Sequence, residues 1–230
     1  MIDQQQIASL NAAFENESPQ TMLRWAGETF GRRLTLGTGL GPSGVVLMHV
    51  LSESVPGADV FFLDTGLHFE ETYELRRALE ARLGLCVRSL RPAQTVQGQA
   101  MRHGPALWQR DPDLCCTLRK VEPLRRHLTG FELWMTGLRR DQSTTRATAP
   151  ILSYVARYGI LKLNPLANWT EAMVWTYIRA HDLPYNALHD RGYPSIGCAP
   201  CTRAVQSGAD LRAGRWAGLA KTECGLHLAA

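Results

Sequence analysis

Apolar residues run together in short stretches, at Leu34 to Leu36 and at Val60 to Leu63, and after each stretch they return every three or four positions. Short unbroken runs mark strands covered on both faces, and returns at i+3 and i+4 mark amphipathic helices. The stretch "RLTLGTGLGPSGVVLMHVL" therefore reads as a strand, a glycine-dense turn and a helix over Val45 to Leu51. "ADVFFLDTG" carries the second strand into Asp64-Thr65-Gly66, after which Leu75, Leu79 and Leu83 recur at i+4 until Gly84 stops the helix. "LCVRSLRP" predicts a further strand, with Cys86 inside it as a small buried hydrophobe, and "FELWMTGLRRD" again runs from apolar strand to polar loop. Strands alternating with helices predict an α/β fold with a parallel sheet covered by helices, whose ligands sit beyond the carboxyl ends of the strands. The loops at 37–44, 64–68 and 137–146 are expected to share one rim.

In "NWTEAMVWTYIRAHDLPY", Thr170 is placed to cap a helix whose Val174, Trp175 and Ile178 form an apolar face; Trp169 and Trp175 are read as packing residues. From Ser195 onward Gly, Pro and Cys replace regular periodicity. Residues 1–194 are thus expected to form the α/β core, and 195–230 an irregular, cysteine-bearing C-terminal appendage.

With 230 residues and a net charge of +4, the chain can bury a sizeable core but gives no general case for nucleic acid; a local basic site for a small anion stays open. No segment approaches ~18 uninterrupted apolar residues, and "MIDQQQIASLN" lacks a charged start followed by an apolar run. A cytoplasmic protein is expected.

The six cysteines change the picture more than the charge does. Cys115 and Cys116 are adjacent, and Cys198 and Cys201 form a CxxC in "GCAPC". In a cytoplasmic chain such groups point to metal or redox chemistry before structural disulfides. Adjacent thiolates can each take a different iron corner of an iron–sulfur cube, whereas one tetrahedral zinc would have to accept both in a cramped geometry. Iron–sulfur is the first reading and zinc the second.

Cys224 lies in "KTECGLH", where Lys221 and His227 can favour the thiolate and Gly225 can let the segment swing. A nucleophilic thiol needs an electrophile, and the basic residues suggest an anionic one. Arg119 and Lys120 follow the cysteine pair, Arg139, Arg140 and Arg146 lie on the expected rim, and Arg212 and Arg215 precede the tail. Arg and Lys are suited to phosphate or sulfate oxygens, and "GTGLGPSG" can offer backbone N–H groups to a nucleotide. Asp64, Thr65, Gly66, Gly137 and Arg139 on the rim complete the candidate substrate-binding set.

Taken together, "LDTG", "CCTLRKVEPL", "WMTGLRRDQS", "NPLANWT", "GCAPCTRAV", "RAGRW" and "KTECGLH" resemble the assimilatory adenylyl-sulfate reductases of the APS/PAPS reductase family, over most of the chain from Leu34 to His227. The resemblance implies an adenine-nucleotide α-hydrolase-like (ATP-pyrophosphatase-like) fold. It also implies reduction of adenosine 5′-phosphosulfate to sulfite and AMP by thioredoxin, in sulfate assimilation. On the same resemblance Cys224 is the nucleophile that forms an S-sulfocysteine, and Cys115, Cys116, Cys198 and Cys201 hold a 4Fe-4S cluster. Lys120 then lies between cluster and substrate, while Arg146, Arg212, Arg215 and His227 grip the phosphosulfate. With no redox domain in the 230 residues, thioredoxin is expected as a separate chain, and relatives commonly form homo-oligomers.

Three rivals stand beside this reading. A reductase for 3′-phosphoadenosine 5′-phosphosulfate usually lacks both cysteine pairs. A tRNA-thiolating sulfur transferase is expected to show a fuller "SGGxDS" loop and a nucleic-acid surface. A zinc-stabilised binding module would carry zinc without inorganic sulfide.

Overall fold

The computed structural model describes residues 2–206, 208, 210–219, 221, 223, 225 and 226. The strands are β1 (Leu34–Thr38), β2 (Asp59–Leu63), β3 (Val87–Leu90), β4 (Leu133–Thr136), β5 (Leu152–Val155) and β6 (Ile160–Leu163). They form one sheet in the order β3-β2-β1-β4-β6-β5, parallel throughout except where β5 pairs antiparallel with β6. The helices are α1 (Gln4–Phe14), α2 (Pro19–Phe30), α3 (Pro42–Ser54), α4 (Glu70–Leu83), α5 (Val96–His103), α6 (Leu107–Arg110), α7 (Pro112–Cys116), α8 (Glu122–Leu128) and α9 (Glu171–Ala180).

The unbroken apolar runs became central strands because both sheet faces are covered. Phe62 belongs to the core cluster that holds Leu23, Leu47, Leu51 and Leu79 on one face, while its neighbour Phe61 belongs to a second cluster with Leu124 and Leu128 of α8 on the other. Local signals set the helix ends as expected: Thr170 Oγ1 accepts the Met173 N–H, and Gly84 closes α4 with φ +62°. Trp169 and Trp175 pack at the margin of the core.

Cys86 departs from expectation. It is exposed, in the turn after α4, because the outer strand β3 begins only at Val87, which takes the core-facing position. Its apolar neighbours in sequence therefore do not bury it.

The topology fixes the site. From β1 the chain crosses through α3 to β2 on one side, whereas β4 pairs with β1 on the other. The loops leaving β1 and β4 diverge, and a crevice opens at their carboxyl ends.

Candidate active site

That crevice is a cleft bordered by the β1–α3 loop, the end of β2 and the loop after β4. The first turn of α3 opens onto it at Gly41, Pro42 and Ser43, bringing the positive end of the helix dipole to the cleft floor. Gly137 lets two loops touch: a Cβ there would lie 3.1 Å from the Ser43 carbonyl carbon and 3.2 Å from the Gly44 nitrogen. Arg139 then ties them. Its guanidinium donates to Ser43 Oγ, to Asp141 Oδ1 at 2.8 Å and to Glu171 Oε2 at 3.1 Å, and its side chain is buried.

Beside the cleft lie the four paired cysteines. Asp111 caps α7 by accepting from the Leu114 N–H, and α7 ends at Cys115 and Cys116. The chain then widens, since the Glu122 N–H donates to the Thr117 carbonyl five residues back, and this turn buries Arg119 and Lys120. The CxxC segment docks on the loop after β2: Cys198 bridges His68, and the Ala199 N–H donates 2.7 Å to the Leu67 carbonyl. Cys115, Cys116 and Cys198 are buried, and Cys201 is half-buried. Burial and the neighbouring sulfurs push Cys201 up to about 11, against the pull of Lys120. Burial likewise pushes Cys115 up. These four thiols, from two segments, are the groups that could hold a metal centre. Among the described residues, no three His, Cys, Asp or Glu side chains are grouped as ligands of a single metal ion.

Lys120 belongs to both neighbourhoods, bordering the cleft while acting electrostatically on Cys115 and Cys201. Arg146, Arg212 and Arg215 border the same cleft. The "RAGRW" segment is pinned under the CxxC: the Trp216 N–H donates 3.0 Å to the Cys201 carbonyl, and Arg215 stacks on the buried Trp216 ring at 4.6 Å. Cys224 and His227 lie outside the described residues. Lys221 pairs with Asp113 Oδ1 and lies 5.7 Å from the Trp216 ring.

The other candidates divide. Gly137 and Arg139 border the cleft, whereas Asp64, Thr65 and Gly66 do not. Thr65 Oγ1 is 3.3 Å from Cys198 Sγ. Asp64 accepts from Tyr73 (2.8 Å), Gly66 N–H (3.1 Å) and Arg91 (3.1 Å); burial pushes its carboxyl up, but these contacts more than offset it and hold it below the usual range. Arg119 is buried and donates to the Thr65 carbonyl and to Gln99. Arg140 leaves the cleft for Glu15 on the C-terminal side of α1. Two participants gave no signal in the sequence: Gln99, which faces Cys115, and His68. His68 borders the cleft, and burial pushes its imidazole down toward the neutral form.

The family model described as the phosphoadenosine phosphosulfate reductase domain matches residues 33–204. An adenosine 5′-phosphosulfate reductase of Salinibacter ruber is 52% identical over 222 residues, covering 96% of this chain and 88% of that protein. The crystal structure of a phosphoadenylyl-sulfate reductase from Candida auris, in a phosphate complex, superposes with a TM-score of 0.80 at 35% identity, covering 89% of this chain and 98% of that one. Candida glabrata FMN adenylyltransferase, at 12% identity and a TM-score of 0.60, shares the fold over 88% of this chain and 68% of its own.

Proposed function

Because this chain belongs to the phosphoadenosine phosphosulfate reductase family, we propose that it reduces adenosine 5′-phosphosulfate to sulfite and AMP with two electrons from thioredoxin. It is an oxidoreductase acting on a sulfur group. The observation that carries the substrate reading is that Lys120, Arg146, Arg212 and Arg215 border one cleft into which the α3 N-terminus also opens.

In the proposed reaction the Cys224 thiolate attacks the sulfate sulfur, and the S–O bond breaks with its electron pair leaving on AMP. The product on the chain is an S-sulfocysteine. A thioredoxin thiolate then attacks the Cys224 sulfur, the S–S electron pair departs with sulfite, and thioredoxin's second thiol resolves the mixed disulfide. Sulfur falls by two oxidation levels while two thioredoxin thiols become one disulfide. Charge builds on the departing phosphate oxygen, and preorganised Arg146, Arg212 and Arg215 lower that barrier; His227 is proposed to join them. The segment 195–230 serves as the appendage that carries CxxC and nucleophile to the core.

The four cysteines fit a 4Fe-4S cluster. Adjacent Cys115 and Cys116 suit separate iron corners, and Cys115 and Cys201, pushed up by burial and by neighbouring sulfurs, are thiols whose ionisation a cationic core would favour. Thr65 and Gln99 offer polar contacts to Cys198 and Cys115. When bound, such a cluster supplies a fixed charge beside Lys120 that tunes the anion site. No described helix is long and apolar enough to cross a membrane, and the proposed setting is the cytoplasm, as a homo-oligomer served by a separate thioredoxin.

The likeness to the Candida auris phosphoadenylyl-sulfate reductase favours one second reading, in which the 3′-phosphorylated nucleotide is the substrate. Intact-protein mass after incubation with each nucleotide sulfate, without thioredoxin, tests both. A sulfonate gain mapped to Cys224 is expected, faster with adenosine 5′-phosphosulfate; no gain from either nucleotide refutes the thiol mechanism.

A further inference from the structure

One carboxylate sits among three of the arginines that border the cleft. Arg146 donates to both oxygens of Glu223, at 2.9 Å from Nε and 2.7 Å from Nη2, and Arg212 Nη2 adds a contact at 3.3 Å. Burial pushes the Glu223 carboxyl up, but Arg146, Arg212 and Arg215 together hold it below the usual carboxylate range. The remaining Arg146 nitrogen, Nη1, donates 2.6 Å to Gln142 Oε1, so the guanidinium plane is fixed on three sides. The arginines and Gln142 border the cleft, whereas Glu223, whose side chain is 10% exposed, does not.

Charge and position then decide what the carboxylate does. Three guanidinium groups gathered without a counter-ion would repel one another and spread. One carboxylate set back from the cleft removes a single charge and leaves two for an incoming dianion. A bidentate clasp adds direction, because it admits one orientation of the Arg146 plane. Glu223 also immediately precedes Cys224, so the contact that orders the arginines is a contact made by the tail.

We propose that Glu223 is a positioning residue: it orders Arg146 and Arg212 for the anionic part of the nucleotide and anchors the tail beside them, so that tail docking and anion binding form one coupled equilibrium. This rests on the reading of these arginines as the phosphosulfate grip.

The test uses the full chain with Glu223→Gln, which keeps the side chain's size and removes its charge. By calorimetry, AMP should bind about tenfold more weakly, while adenosine, which lacks the phosphate, should bind within about twofold of wild type. Without nucleotide, iodoacetamide should alkylate Cys224 several-fold faster in Glu223→Gln and in Arg146→Ala, with the double variant exceeding neither, since each substitution breaks the same clasp. Unchanged AMP affinity, an equal loss for adenosine, or an unchanged alkylation rate overturns the proposal. The alkylation readout requires no turnover, reductant or nucleotide, so a wild-type chain that makes no sulfite would refute the proposed function separately.

Discussion

Thr65 Oγ1 lies 3.3 Å from Cys198 Sγ, and the carbonyl of the same residue accepts a 2.6 Å hydrogen bond from Arg119 Nε. Arg119 Nη1 donates in turn to Gln99 Oε1 at 3.0 Å, and the Gln99 amide nitrogen faces Cys115 Sγ at 3.8 Å. A buried chain of polar contacts thus joins one cysteine of the CxxC to one of the adjacent pair, with a single guanidinium at its centre.

Removing that guanidinium strands two buried acceptors. Arg119→Met should cost about 2–4 kcal/mol of stability, because the Thr65 carbonyl and Gln99 each lose a charge-assisted partner. Urea unfolding measures the loss, and on the proposed 4Fe-4S reading iron and sulfide per chain should fall with it. Arg119→Lys should recover only part of both, since one ammonium cannot span the two acceptors.

Gly137 makes a steric prediction. In Gly137→Ala the new Cβ would press at 3.1–3.2 Å on the backbone of Ser43 and Gly44 and push the α3 N-terminus away from the loop after β4. A stability loss of about 1–3 kcal/mol is expected from such overpacking. AMP affinity should fall as well, and a thermal melt with and without AMP would report both. A melt and a ligand shift equal to wild type would show that the two loops separate freely.

The sequence made the scaffold legible where one local rule sufficed. Phe61 and Phe62 sit in a run that only a doubly covered strand accommodates, and Leu75, Leu79 and Leu83 mark a helix face by period alone. The shared rim followed from strand–helix alternation, and "RAGRW" and the cysteine pairs were recognisable as motifs. The partnerships were not. Arg119 meets Gln99 twenty residues away and Arg146 meets Glu223 seventy-seven away, and nothing periodic links such positions. Nor did the sequence show that Asp64 meets Tyr73 and Arg91, or that Thr65 Oγ1 lies beside Cys198 Sγ.

Cys86 offers a direct check of the corrected placement. A maleimide should label it in the folded protein before the buried Cys115, Cys116 and Cys198, and Cys86→Ser should change stability by no more than about 0.5 kcal/mol. Protection of Cys86 in the native state would contradict its exposed position ahead of β3.

Lys162 carries a prediction about pH. It occupies the fully covered strand β6, where burial, aided by the charge of Arg146 and opposed by Glu223, pushes its ammonium down to about 8 from 10.5. Between about 8 and 10.5 the unfolded chain holds a proton that the folded chain has released, so this group makes stability rise with pH across that window. Below about 8 both states carry the proton, and the full cost of burying the charge is present. Lys162→Met removes that cost while keeping most of the volume. The variant should therefore be more stable than wild type at pH 7, and its advantage should shrink as the pH approaches 10.5. Groups that titrate alike in both proteins cancel in the difference, so paired urea titrations at intervals across the window isolate Lys162. Parallel stability curves would mean that Lys162 keeps its proton in the folded protein throughout, and that its neighbours stabilise the ammonium enough to offset its burial.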